Sequence, residues 1–357
     1  MGATLAGQVV GLGAASIEVE GGHIRAVRPL EAAPSRWLVP GFVDLQCNGL
    51  EDVDVATASG PDWEHLDRLL LAGGVTTWCP TLVTAPLDAY RFSLASIARA
   101  AARPPVGRPQ IAGAHLEGPF LGATPGAHPV ELIRPVDLGW LAALPPVVRV
   151  VTLAPEVDQA LQAVALLAER GVVVALGHGA PTARQVTEAV GAGATMVTHL
   201  FNAMPAFHHR RPGLVGATLT DDRLVAGLIA DLVHVHPTAL RLAFGAKGGQ
   251  GIALVTDAVA SEGERAAGAK GSDGAVRRAD GSLAGSSLTM VEAVRNVVTA
   301  AGVDLAGAAA AASATPARLL GLADRGRLAA GARADIVALT DDLEIEAVWA
   351  GGDRVVG

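Results

Sequence analysis

Cysteine is scarce in this chain: only Cys47 and Cys79 occur among 357 residues. Neither belongs to a Cys-x-x-Cys pair, so no disulfide framework can be read from them, and the usage fits a reducing cytoplasm. Positive charge is also short, with 27 Lys and Arg against 35 Asp and Glu and a net charge of −8. No basic patch or tail marks a nucleic-acid partner. An anionic ligand would therefore have to be met by locally focused positive charge. No basic segment followed by an apolar stretch opens the chain, so no secretory signal is expected. Apolar runs such as Gly171–Gly177 fall well short of the ~20 residues that span a bilayer, and no membrane partner is expected. No fixed-period repeat stands out.

What is present is apolar and alternating. Half of the residues are hydrophobic, enough for a large core, and the length suits an α/β barrel with a small appendage. Near the start, Gly21-Gly22 separates the strand-like Ala15–Glu20 and His23–Val27, a hairpin signal. Near the end, Arg327-Leu328, Asp335–Leu339 and Glu346–Trp349 read as strands. The two ends predict one small β-sandwich domain, residues 1–40 with 325–357, around a barrel of residues 41–324. In between, candidate strands are Phe42–Leu45, Thr76–Cys79, Ile111–His115, Val148–Leu153, Val172–Leu176, Met196–Thr198, Val225–Ala230 and Ala253–Thr256. Helical stretches such as Trp63–Ala72, Asp158–Arg170, Thr182–Gly191 and Pro237–Ala246 separate them. Eight such units predict a (β/α)8 TIM-like barrel. A doubly wound sheet would need a Gly-rich phosphate loop after its first strand, where this chain has Gln46–Gly49. Residues 261–281 have no helical period and read as a hairpin-like flap. Trp63 and Trp140 read as core or interface residues, and Leu305–Ala314 as a packed helix.

Polar residues close several of the apolar runs. Glu117 ends the third, His178 the fifth, His199 the sixth and Asp257 the eighth. Each alone has an ordinary reading: a turn glutamate, a loop histidine, a hydrogen-bonded core histidine, a helix cap. Together they fall where the C-terminal ends of barrel strands converge on one site. One carboxylate and two imidazoles suit zinc with an open position, and a further carboxylate suits a general base. The compact basic run His208–Arg211 follows the sixth strand, and His234 and His236 follow the seventh. Arginine forks suit phosphate.

The segments His115–Phe120, Val151–Glu156, Gly177-His178, Thr198–Met204, Arg210–Gly213, Asp231–His234, Val255–Ala258 and Leu283–Met290 run in order along most of the chain. Together they resemble the N-acetylglucosamine-6-phosphate deacetylase family of the amidohydrolase superfamily. Pro40–Asp44 and Gly331–Asp335 are similar to amidohydrolases more widely. The resemblance implies hydrolysis of the acetamide of an amino-sugar phosphate, with Asp257 as base and then acid. It places one divalent metal ion on Glu117, His178 and His199, zinc first, with iron, cobalt or manganese also suited to such ligands. It sets His128 near the acetyl carbonyl and Asn202 and Ala203 against the sugar phosphate. Arg210 and His234 match phosphate contacts, Arg210 across the interface of a homodimer. Many amidohydrolases carry His-x-His after the first strand and bind a second metal; here Gln46-Cys47-Asn48 stands instead. Neutral amides are poor zinc ligands. Strand alternation turns Cys47 away from Gln46 and Asn48, so Cys47 is expected to be structural.

Other readings keep the barrel and change the chemistry. An N-acylated amino-acid deacetylase or a cyclic-amide hydrolase would not need Arg210 and His234 as an anion clamp. A sugar-phosphate sensor would not need Glu117, His178, His199 and Asp257 together. The choice between glucosamine and galactosamine rests on loop geometry around one hydroxyl, which the sequence does not expose.

Overall fold

A computed structural model describes residues 2–104 and 106–357. Among them, eight parallel strands lie side by side in chain order: β1 (Phe42–Cys47), β2 (Val75–Leu82), β3 (Ala114–Glu117), β4 (Val148–Leu153), β5 (Val173–Leu176), β6 (Met196–Val197), β7 (Val225–Leu228) and β8 (Ile252–Leu254). Past β8, the Asp257 N–H donates to the Gln46 carbonyl at 2.8 Å and the Asn48 N–H to the Ala258 carbonyl at 2.7 Å, drawing the two edges into a nearly closed TIM-like barrel. Strands β1, β2, β5, β7 and β8 are buried along their whole length, and β5, β7 and β8 accordingly read as unbroken apolar runs. The third strand departs from expectation. It splits into Gln110–Ile111 beside β2 and then β3, whose register with β4 shifts at Ala114/His115. Gly113, at φ 146°, marks the break, and a Cβ there would lie 2.1 Å from Arg149 Cγ.

Helices cover the barrel by burying one face each. Asp62–Ala72 buries Trp63, Leu66 and Leu70, the stripe expected of a 3.6-residue period. Ala183–Ala192 starts at a capping box between Thr182 and Gln185, and Pro237–Lys247 starts with proline in its first turn. The helix expected from Asp158 begins at Ala160, because Gln159 is left-handed at φ 62°. Leu305–Ala309 continues through a π-helical turn, Ala310–Ala314. The tryptophans pack inward: Trp63 lies 6.3 Å from Trp78, and Trp140 lies 5.5 Å from Tyr90.

The chain ends form the small β-sandwich. Ala3–Val9, Gly13–Glu20, His23–Pro29 and Trp37–Pro40 join Ile336–Leu339, Ile345–Ala350 and Asp353–Val356. Leu5, Ile17 and Ile24 from the first segment pack with Ile336 and Trp349 from the last. Gly21 and Gly22, at φ 59° and 80°, make the hairpin turn that its strand twist favours. Arg327-Leu328 is not a strand, contrary to expectation. Arg327 bonds back to the Ala323 carbonyl after a turn at Gly326, φ 72°, and the additional strand is Asp353–Val356. The flap is an antiparallel three-stranded sheet of Ala269–Lys270, Ala275–Arg277 and Leu283–Ser286. No helix among the described residues is long and apolar enough to cross a membrane.

Candidate metal-dependent active site

Glu117 is the last residue of β3, while His178, His199 and Asp257 stand just past β5, β6 and β8. The latter three are left-handed, at φ 53°, 28° and 47°. A conformation so unfavourable for side-chain-bearing residues persists where the surroundings enforce it, typically at functional sites. All four lie in the wall of one cavity of ≈ 460 Å³ at the C-terminal mouth of the barrel.

Glu117 Oε1 lies 2.9 Å from His178 Nε2 and 3.1 Å from His199 Nε2, and the two imidazole nitrogens are 3.0 Å apart. His178 Nδ1 is 3.0 Å from the Pro125 carbonyl. A carbonyl only accepts, so Nδ1 carries the proton and Nε2 turns a lone pair toward Glu117 and His199. A carboxylate oxygen and two imidazole nitrogens crowded in this way suit a cation. Donors around a tetrahedral ion at about 2.0–2.2 Å stand about 3.4 Å apart, close to these separations.

Glu117, His128 and His178 also form a group able to hold a metal ion, with donor atoms within 4.8 Å of one another. His128 nevertheless differs from its neighbours. The Thr84 N–H donates to His128 Nδ1 at 3.2 Å, so that nitrogen is unprotonated and Nε2 carries the hydrogen. Nε2 stands 3.8 Å from Glu117 Oε2. Burial, with His178 beside it, pushes the His128 pKa down to about 3, which favours the neutral ring. As arranged, His128 offers a donor to the cavity rather than a lone pair.

Asp257 is braced by the two amides of β1's end. Gln46 Nε2 and Asn48 Nδ2 both donate to Asp257 Oδ1, at 3.0 and 2.9 Å, and Gln46 Nε2 also reaches Glu117 Oε1 at 2.8 Å. Oδ2 is left to face other partners. Burial raises the Asp257 pKa and the Glu117 charge raises it further, which suits a carboxylate that must take up a proton. Beneath it, Asp44 accepts from the Thr256 hydroxyl at 2.6 Å, and burial raises Asp44 to about 7. Cys47 is fully buried, with its thiol pushed well above the ordinary value by burial, as a structural cysteine should be.

Asn202, Ala203 and His234 line the same cavity. His234 Nδ1 donates to Asp231 Oδ2 at 2.6 Å. Burial pushes Asp231 upward, but the His234 contact outweighs it and holds the carboxyl low. Arg210 is exposed, does not line the cavity, and rests 3.0 Å from His209 Nε2. The structure thus gathers every expected site residue except Arg210. Sequence reasoning missed Thr84, Asp231 as anchor of His234, and two flap arginines in the cavity wall, Arg265 and Arg278. Gln46 and Asn48 were legible as a same-face pair at the end of β1, but their role as braces depends on Asp257, which follows the last barrel strand.

The model of the amidohydrolase family matches residues 37–355. Human N-acetylglucosamine-6-phosphate deacetylase is 40% identical over 345 residues, covering 90% of this chain and 83% of that one. The chain belongs to the N-acetylglucosamine-6-phosphate deacetylase family. Another of its relatives, the N-acetylgalactosamine-6-phosphate deacetylase of Escherichia coli O157:H7, is 39% identical over 94% of this chain and 93% of that protein. Among solved structures, an aspartate-to-alanine mutant of the Mycobacterium smegmatis N-acetyl-D-glucosamine-6-phosphate deacetylase, in complex with N-acetyl-D-glucosamine-6-phosphate, superposes with a TM-score of 0.91. It is 34% identical and covers 100% of both chains.

Proposed function

We propose that this protein hydrolyses the acetamide of N-acetylglucosamine 6-phosphate, giving glucosamine 6-phosphate and acetate. The observation that carries the reading is the convergence of Glu117 Oε1, His178 Nε2 and His199 Nε2 beside the braced Asp257 at the barrel mouth. Those three side chains would hold one divalent ion, zinc first, with iron, cobalt and manganese compatible with the same donors. When bound, the ion supplies Lewis-acid polarisation of the acetyl carbonyl and makes the attacking water more acidic.

The chain's own residues do the rest. Asp257 takes the water's proton and returns it to the amine nitrogen, because an amine anion is too poor a leaving group. His128 Nε2–H donates to the carbonyl oxygen as negative charge develops there. Asn202 and the Ala203 backbone hold the sugar phosphate, with His234 oriented by Asp231. Arg210 completes the phosphate contact from a second subunit of a homodimer, a reading supported by its place outside its own cavity. Two buried free thiols support a reducing, cytoplasmic setting.

The near-equal identity to the named galactosamine relative supports one alternative, N-acetylgalactosamine 6-phosphate as substrate. Acetate release should be measured with both 6-phosphates, their unphosphorylated forms, an N-acetylated amino acid and a cyclic amide. Rapid turnover of N-acetylglucosamine 6-phosphate, abolished by a chelator and restored by a divalent ion, is expected. Preference for the epimer selects the alternative, and turnover only of the amino acid or cyclic amide overturns both.

A further inference from the structure

The cavity has an unbalanced charge. Its wall carries three carboxylates, Asp54, Glu117 and Asp257. Of the basic side chains that share the wall, Arg265 is engaged by Asp62, with an N–O distance of 3.0 Å, and His234 by Asp231 at 2.6 Å. Arg278 is different. Among the described residues it makes no ion pair; its one side-chain hydrogen bond runs from Nη2 to the Ala127 carbonyl. Asp280, two residues on, is near enough to feel its charge but does not pair with it. Arginine exists only as a cation at working pH, so a positive charge faces this cavity without a resident anion.

The backbone bond also fixes where that charge sits. Ala127 belongs to the loop in which Thr124 Oγ1 donates to the Ala203 carbonyl at 2.8 Å. In the same loop, a Cβ on Gly126 would lie 3.2 Å from Ala203 Cβ. The guanidinium is thereby held against the residue that precedes His128, in the loop that contacts Ala203. The neighbouring Arg277 lies within electrostatic reach of Asp231, the anchor of His234. The flap strand therefore passes over the side of the cavity formed by Ala203 and His234.

We propose that Arg278 is a substrate-binding residue supplied by the chain's own flap, and that its free N–H groups bind the phosphate of the sugar phosphate. This rests on the function proposed above. One N–H on Ala127 orients the guanidinium plane, and the remaining donors suit the fork geometry of a phosphate. A cation is needed here because the wall is otherwise negative and the whole protein carries −8.

The test compares Arg278→Ala, Arg278→Lys and the unaltered protein, each loaded with metal. For the 6-phosphorylated sugar, Arg278→Ala should raise KM about ten- to a hundredfold, the loss typical of a hydrogen bond to a charged group. Turnover at saturation and KM for the unphosphorylated sugar should change little, and Arg278→Lys should recover part of the affinity. Titration calorimetry with inorganic phosphate gives a readout without catalysis, and phosphate should bind more weakly to Arg278→Ala. Equal KM increases for both sugars, or unchanged phosphate affinity, would show that Arg278 only latches the flap to Ala127. Failure of the unaltered protein to prefer any phosphorylated sugar would instead overturn the proposed function, while the calorimetry still decides whether Arg278 binds phosphate.

Discussion

In the proposed mechanism Asp257 accepts a proton and releases it in one catalytic cycle, and its surroundings pull in both directions. Burial and the Glu117 charge raise its affinity for a proton, while amide donors from Gln46 and Asn48 stabilise the carboxylate. Asp257→Asn keeps the shape and removes the base. It should retain the metal and lose about 10²–10⁴-fold in turnover; metal content by mass spectrometry beside acetate release checks both, and near-normal turnover would remove Asp257 from the mechanism. The histidines divide on the same logic of proton position. His178 and His199 face Glu117 with nitrogen atoms 2.9 and 3.1 Å away, whereas Thr84 turns the protonated side of His128 to the cavity. His199→Asn should therefore lower metal content, and His128→Asn should keep one ion per chain while slowing turnover. A His128→Asn protein that emerges metal-free, with His199→Asn fully loaded, would exchange the two roles. Elemental analysis showing two ions per chain, both required for activity, would contradict the single ion expected from Gln46 and Asn48.

At the scale of elements, local chemistry has consequences that can be separated from the site. Thr182 caps Ala183–Ala192 on the exposed face of the barrel, with its hydroxyl accepting the Gln185 N–H at 3.3 Å and the Gln185 side chain returning to the Thr182 N–H at 2.9 Å. Thr182→Ala should cost about 1 kcal/mol of stability and leave turnover intact, as urea unfolding and an activity assay would show. Such caps, the apolar strands and Pro237 were legible because each signal lies within a few residues of its effect. Glu117, His178, His199 and Asp257 were legible for a related reason: a polar residue ending an apolar run marks a strand's mouth. The break at Gly113 was not, since it reflects the approach of Arg149 from the next strand. Nor were the left-handed turns at His178 and His199, which non-glycine residues adopt only under tertiary constraint. Arg327-Leu328 shows the opposite failure, a strand-like dipeptide that finds no partner strand in the fold.

At the scale of the whole molecule, a net charge of −8 sets the terms on which a phosphate dianion enters. Long-range repulsion has to be overcome by cations at the mouth. The chain's concentrated basic run, His208–Arg211, is the natural source, yet Arg210 stands exposed and outside its own cavity. A clamp residue placed there serves a site only if a second copy brings it. Arg210→Ala should then raise KM for the phosphorylated sugar about ten- to a hundredfold and barely alter turnover of the unphosphorylated one. The proposed arrangement across subunits has a sharper consequence. An Arg210→Ala dimer lacks both clamps, and an Asp257→Asn dimer lacks both bases. In a mixed dimer, the site that keeps Asp257 receives Arg210 from its partner and is whole, while the other site lacks both. Mixing the two impaired proteins under conditions that exchange subunits should therefore restore a substantial fraction of activity at low substrate. Activity that never exceeds the average of the two parents, in a sample shown by mass spectrometry to contain mixed dimers, would place Arg210 in its own subunit's site or outside catalysis altogether.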